Sequence, residues 1–158
     1  MNEIKENVSL EMENVLSYRG KVTQQQMVQI TQEMQNLIES NGAHKTLHGV
    51  SATYGIENTG SAPMMEVEIM YPLDKPIAVS APYVLKPVFR LRNAVKIRHT
   101  GNPALMQNAA NELMAYIKDR GLMPITAGYN VTVQEPTSPT DIENLIVDMY
   151  VGVSDNIL

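Results

Sequence analysis

Three histidines, seventeen carboxylates and no cysteine bound the chemistry open to this 158-residue chain. Without cysteine there is no thiol nucleophile, no thiolate zinc site and no disulfide. His44 and His48 stand four residues apart, a spacing that on a helix would present two imidazoles to one metal. Gly42 and Gly49 bracket them, however, so they read as a loop pair and no metal site is expected. His99 closes an alternating segment just before a helix start, where it suits a bond to that start or a surface place. Serine and aspartate are numerous enough for a hydrolytic triad. No strained Gly-x-Ser-x-Gly turn holds a nucleophile, and no glycine-rich loop cradles a phosphate. No catalytic residue and no cofactor are expected, and the chain reads as a binding protein rather than an enzyme.

Binding residues follow from strand alternation, because successive side chains point to opposite sides. In the alternating segments around 66–71 and 146–151, Val67, Ile69 and Tyr71, and likewise Val147, Met149 and Val151, take the apolar side facing the helices. Glu68, Met70, Asp148 and Tyr150 take the other. By the same counting Ser51, Thr53, Asn130 and Thr132 join that open side, while Tyr54 and Tyr129 face the helices. Asn130, Asp148, Tyr150, Glu68, Met70, Thr132 and Arg92 are thus the candidate ligand-binding residues. Such a lining is partly apolar with a few orienting polar groups.

Along 89–98, Phe89, Leu91, Val95 and Ile97 form an apolar set, which leaves Arg90, Arg92, Lys96 and Arg98 together on the opposite side. Charge is segregated along the chain. Residues 75–111 hold six Lys or Arg and no acid, and residues 121–158 hold five acids and no Lys or Arg. Arg90, Arg92, Lys96 and Arg98 are therefore candidate partner-binding residues for an anionic ligand or an acidic protein surface. Equally, Glu11, Glu13, Glu68 and Asp148 on neighbouring strands would neutralise them.

The elements that position these residues repeat. The segment Val15 to Gly20 reads like Lys96 to Gly101 at an offset of 81, and each ends in Gly before a helical pattern. Thr23 caps the first helix with Gln26 three residues on, Met27, Ile30, Met34, Leu37 and Ile38 make its apolar face, and Gly42 stops it. Asn102 caps the second with Pro103 at its first position, Leu105, Met106, Ala109, Leu113, Tyr116 and Ile117 make the face, and Gly121 stops it. A Gly-led strand, a turn-rich loop (Glu57 to Pro63, then Glu135 to Asp141) and a last strand follow each helix. The Pro136-x-x-Pro139 spacing in the second loop reads as turn chemistry. Glu68 matches Asp148 at an offset of 80. The expected fold is α+β, a tandem β-α-β-β repeat in one domain spanning 1–158. Unit one covers about 8–72, a connector 73–85 and unit two about 86–153.

Composition agrees with one soluble domain: 44% apolar, 18% charged, nine Gly and nine Pro. Eleven Met supply the soft apolar volume that seven Tyr, one Phe and no Trp leave wanting. The formal charge of −5 argues against a general nucleic-acid binder. No stretch is apolar enough to span a bilayer, and the acidic start lacks the pattern of a secretory signal. A cytoplasmic location is expected, without membrane association, and open sheet edges make a homodimer plausible.

Strand, helix and hairpin said twice, with His99-Thr100-Gly101 before the second helix, Gly121-Leu122-Met123-Pro124 after it and a final Asp148-Met149-Tyr150-Val151-Gly152-Val153, resembles the GyrI-like small-molecule-binding superfamily. The resemblance implies two units about a pseudo-two-fold axis, an antiparallel sheet with both main helices on one face, and ligand in the groove between the units. It further implies an effector-binding domain, here expected as a stand-alone version because no helix-turn-helix pattern accompanies the repeat. Where the superfamily's second hairpin carries an acid, this chain has Asn130, then Thr132 and Glu135-Pro136, so the anionic binder of cationic drugs is missing there. The superfamily's hydrolase branch is a poor match, with no Trp and Asn130 again in place of the acid. The late Pro of the superfamily is replaced by Gly152, a change expected to matter little. A looser likeness, in size and overall pattern, is to small bacterial proteins that accompany secreted toxins. It supports a second reading, a protein-binding immunity or adaptor module docking through the charged face.

Overall fold

A computed structural model describes residues 3–57, 63–138 and 140–154. Most of the loop expected at Glu57 to Pro63 and the second proline of Pro136-x-x-Pro139 lie outside the described residues. The elements run β1 (Ile4–Val22), α1 (Gln24–Ser40), β2 (Val50–Glu57), β3 (Met64–Pro72), β4 (Tyr83–Thr100), α2 (Met106–Asp119), β5 (Met123–Gln134) and β6 (Ile146–Ser154). The architecture is α+β, with two helices and strands that pair antiparallel within each unit. β4 begins at Tyr83, so the last residues of the expected connector are strand.

Two compact units emerge, Met12–Phe89 in one and Met1–Glu11 with Arg90–Leu158 in the other. Their limits differ from those read along the sequence, because β1 and β4, 19 and 18 residues long, each contribute to both.

In the unit Met12–Phe89, β3 is central, paired with β1 from Val15↔Pro72 to Val22↔Met65 and with β2 from Val50↔Met70 to Glu57↔Met64. α1 starts in the expected capping box: Thr23 Oγ1 accepts from the Gln26 amide at 3.2 Å, and Gln26 Oε1 accepts from the Thr23 amide at 2.9 Å. Gly42, at φ +67°, ends it in the left-handed region that glycine enters without strain. Met34 and Ile38 of α1 are buried against Leu16, Val22, Val67, Ile69 and Tyr71, and Leu73 and Ile77 of the connector complete the cluster.

In the other unit β6 is central, paired with β4 from Ala94↔Gly152 to Thr100↔Ile146 and with β5 from Met123↔Ser154 to Gln134↔Ile146. Ala109, Leu113 and Ile117 of α2 are buried against Val95, Ile97, Met149, Val151 and Val153. Asn102 caps a single 3-10 turn, Pro103–Leu105, that leads into α2, accepting from the Ala104 amide at 2.9 Å. Pro103 holds the expected first position of that turn.

The strands paired with β3 and β6 correct one reading. Opposed residues in an antiparallel pair share a face. Ser51↔Ile69 and Thr53↔Val67 put Ser51 and Thr53 on the side of α1, and Asn130↔Met149 and Thr132↔Val147 put Asn130 and Thr132 on the side of α2. The expected face for all four is reversed. Tyr129 pairs with Tyr150 and Val131 with Asp148, so Tyr129 lies on the helix-distal face. Tyr54 falls at the β2 register shift between Thr53 and Gly55, and its hydroxyl reaches Glu68 on that same face. The reason is that the helix-distal face carries buried apolar residues as well, and the central strands β3 and β6 are buried on both faces. Val50, Ala52 and Met70 are at most 2% exposed on the side away from α1, so apolar alternation shows which residues share a face but not which face it is.

Candidate functional site

Glu68 sits at the middle of β3 on the helix-distal face and is only 4% exposed. Its carboxylate accepts from Ser17 Oγ at 2.7 Å, from Tyr54 Oη at 2.8 Å and from Lys86 Nζ at 2.5 Å. The β1–β3 register explains the first contact: Ser17 opposes Met70 and Arg19 opposes Glu68, so Ser17 reaches Glu68 on the diagonal. The Arg19 guanidinium lies 3.8 Å from the centroid of the Tyr54 ring, and Lys86 Nζ lies 5.9 Å from that of Phe89. Burial pushes the Glu68 carboxyl up, but the bonds from Lys86, Ser17 and Tyr54, with the Lys86 charge, outweigh it and hold the group below its ordinary value. Glu68 is therefore a buried, ionised carboxylate.

Asp148 is its counterpart on β6, also 4% exposed. Arg98 grips it with two parallel bonds, Nε to Oδ1 at 2.8 Å and Nη2 to Oδ2 at 3.0 Å. Lys96 Nζ stands 3.6 Å from Oδ2 and 5.9 Å from the centroid of the Tyr150 ring. Burial, followed by the Asp148 charge, raises the Tyr150 hydroxyl above its ordinary value, so it stays a neutral donor.

The expected site residues separate accordingly. Glu68, Met70, Asp148 and Tyr150 lie on the helix-distal faces, and Asn130 and Thr132 do not. Met70 is fully buried. Of the cations, Arg98 and Lys96 are engaged by Asp148 and Arg90 by Glu11 at 3.4 Å, while exposed Arg92 has no ion pair among the described residues. Neutralisation by neighbouring acids thus accounts for three of the four. Ser17, Tyr54 and Lys86 were not among the expected site residues. Lys86 falls just past the expected connector, and its reach to β3 has no signature in spacing.

Two of the histidines have defined contacts. Buried His99 donates from Nε2 to the Asn102 carbonyl at 2.9 Å, tying the end of β4 to the turn before α2. His44 pairs with Asp74 at 3.2 Å and is exposed. Among the described residues no three His, Asp or Glu are placed to hold a metal ion. Nor is any helix there long and apolar enough to cross a membrane.

No protein-family model matches this chain, and no curated protein does. Solved structures do match. A chain of EcmrR in a complex with DNA superposes with a TM-score of 0.76 at 17% identity, over 99% of this chain and 58% of that one. The present chain thus spans little more than half the length of that EcmrR chain. The isolated EcmrR C-terminal domain gives 0.73 at 15% identity, over 99% of this chain and 98% of that domain. A hydrolase from Listeria innocua gives 0.63 at 15% identity, over 96% and 92%. SAV2435 bound to tetraphenylphosphonium gives 0.52 at 14% identity, over 98% and 94%. At these identities the likeness is one of fold.

Proposed function

We propose that this chain is a non-enzymatic, GyrI-like effector-binding protein, a tandem repeat of two β-α-β-β units that takes up a small molecule on their helix-distal faces. The observation that carries this reading is the pair of buried carboxylates, Glu68 and Asp148, at corresponding places on the central strands β3 and β6. A core built for stability alone gains little from burying ion pairs, since well-packed apolar residues serve as well or better. Buried polar groups among Met70, Tyr54, Tyr129 and Tyr150 suit orientation of a ligand. The shared fold of the EcmrR C-terminal domain, and of a protein solved with a bound lipophilic cation, supports the same reading. Glu68, Met70, Asp148 and Tyr150 are the contact residues proposed, with Arg92 at the margin.

Hydrolysis is not proposed. Ser17 and Tyr54 share the Glu68 carboxylate with Lys86, an arrangement that holds the acid ionised, and His99 is committed to a backbone carbonyl. Docking of an acidic partner needs free cations, and among the described residues Arg90, Lys96 and Arg98 of the four expected are already paired with acids.

Native mass spectrometry of the gently isolated protein tests the reading. An added small mass that disappears in Glu68→Ala is the expected result. An added protein subunit without a small mass would favour the docking reading instead.

A further inference from the structure

Both buried carboxylates are already met by cations of the chain itself. Lys86 bonds Glu68, and Arg98 with Lys96 bonds Asp148. The aromatic rings alongside are covered in the same way, Tyr54 by Arg19, Phe89 by Lys86 and Tyr150 by Lys96. A desolvated carboxylate with aromatic faces beside it is the chemistry that takes up an organic cation. Here the organic cation is supplied from within.

We propose that Lys86 is a tethered internal cation that occupies the cation place at Glu68, and that it sets ligand specificity by excluding organic cations in favour of neutral or anionic molecules. This rests on the reading that the helix-distal face of Met12–Phe89 binds a small molecule.

Three observations carry it. The first is capacity. An ionised carboxylate offers about four acceptor positions; Ser17 and Lys86 fill both at Oε2 and Tyr54 takes one at Oε1, so a cation gains the ammonium's place only by displacing it. The second is tethering, because an ammonium held on the same chain competes at an effective concentration in roughly the millimolar range. The third is the contrast with Asp148. Arg98 holds that group in a planar two-bond fork, which a point charge cannot replace in kind. Among the described residues Lys86 makes one ion-pair contact, on a flexible stem, with its side chain 35% exposed while that of Glu68 is 5% exposed, so it is the member that can swing into water. Of the two places, only the one at Glu68 is held by a removable group.

The test is Lys86→Ala, which deletes the ammonium and vacates the space of its stem, probed by titration calorimetry with n-butylammonium and with tetraphenylphosphonium. Wild type is expected to bind neither. Lys86→Ala is expected to gain at least about tenfold in affinity for one or both, and Lys86→Ala with Glu68→Gln to lose the gain. Lys86→Met keeps the stem's packing and gives the same readout with tetraphenylphosphonium if the alanine variant folds poorly. Cation binding by wild type equal to that of the variants, no gain in either variant, or a gain that survives Glu68→Gln would each overturn the proposal. A small mass retained on the wild-type chain in native spectra would then still uphold the binding reading, so the two fail separately.

Discussion

Glu68 is the residue on which most depends, and pH reads its state. Its folded-state pKa lies below the value of 4.5 taken for the free group, so its contribution to stability is complete above that value and is lost as pH falls through the folded pKa. Glu68→Gln is expected to cost about 1–3 kcal/mol at neutral pH. In urea titrations at several pH values, the gap between wild type and variant should stay level above about pH 5.5 and close at lower pH. A gap that persists unchanged in acid would mean that packing, not ionisation, carries the effect. Arg98 and Arg92 share a face by alternation yet differ in role. Arg98→Glu places an acid against buried Asp148 and should cost about 3–5 kcal/mol, whereas Arg92→Glu should stay within about 0.5 kcal/mol. Denaturation midpoints for the two variants check this. Alternation in the sequence shows that these arginines belong together, but which one is paired depends on the β4–β6 register.

At the scale of elements, both helices were legible because their signals are local. The Thr23 capping box, Asn102-Pro103 and the glycine stops lie within one turn of what they control, and so does the 3.6-residue spacing of Met34 and Ile38. The faces of β2 and β5 were not legible, since their partners lie elsewhere in the sequence. Gly152 shows how much such a partner matters. Its amide donates to Thr126 Oγ1 at 2.9 Å, and a Cβ there would come within 2.8 Å of both Leu91 Cδ1 and Thr126 Cγ2. Proline would remove that donor, so glycine at this position is no neutral replacement. Leu91 can turn aside, but Thr126 is held by its bond to Gly152 and by a second to the Ala127 carbonyl at 2.8 Å. Gly152→Ala is expected to lose about 1–3 kcal/mol by overpacking. Adding Thr126→Ser, which removes the clashing methyl and keeps the hydroxyl, should recover part of the loss in thermal melts.

For the whole molecule, a ligand that binds only the folded chain must raise its stability by mass action, about 2.7 kcal/mol at a hundred times its Kd. A thermal-shift screen should therefore find its hits among neutral and anionic compounds, and the same hits should lose their effect in Glu68→Ala. Hits confined to organic cations would contradict the specificity proposed for Lys86. What the sequence by itself determined is whatever depends on neighbours a few residues apart: the order of strands and helices, the start of α1 and the glycine stops, and the sets of residues sharing a face within each strand. Tertiary structure alone decided which face those sets turn to, that the central strands are buried on both faces, and that Lys86, Ser17 and Tyr54 converge on one carboxylate. The reason is physical. Alternation has a period of two and carries no sign, so where apolar residues are buried on both sides of a sheet, only the pairing of distant strands tells one side from the other.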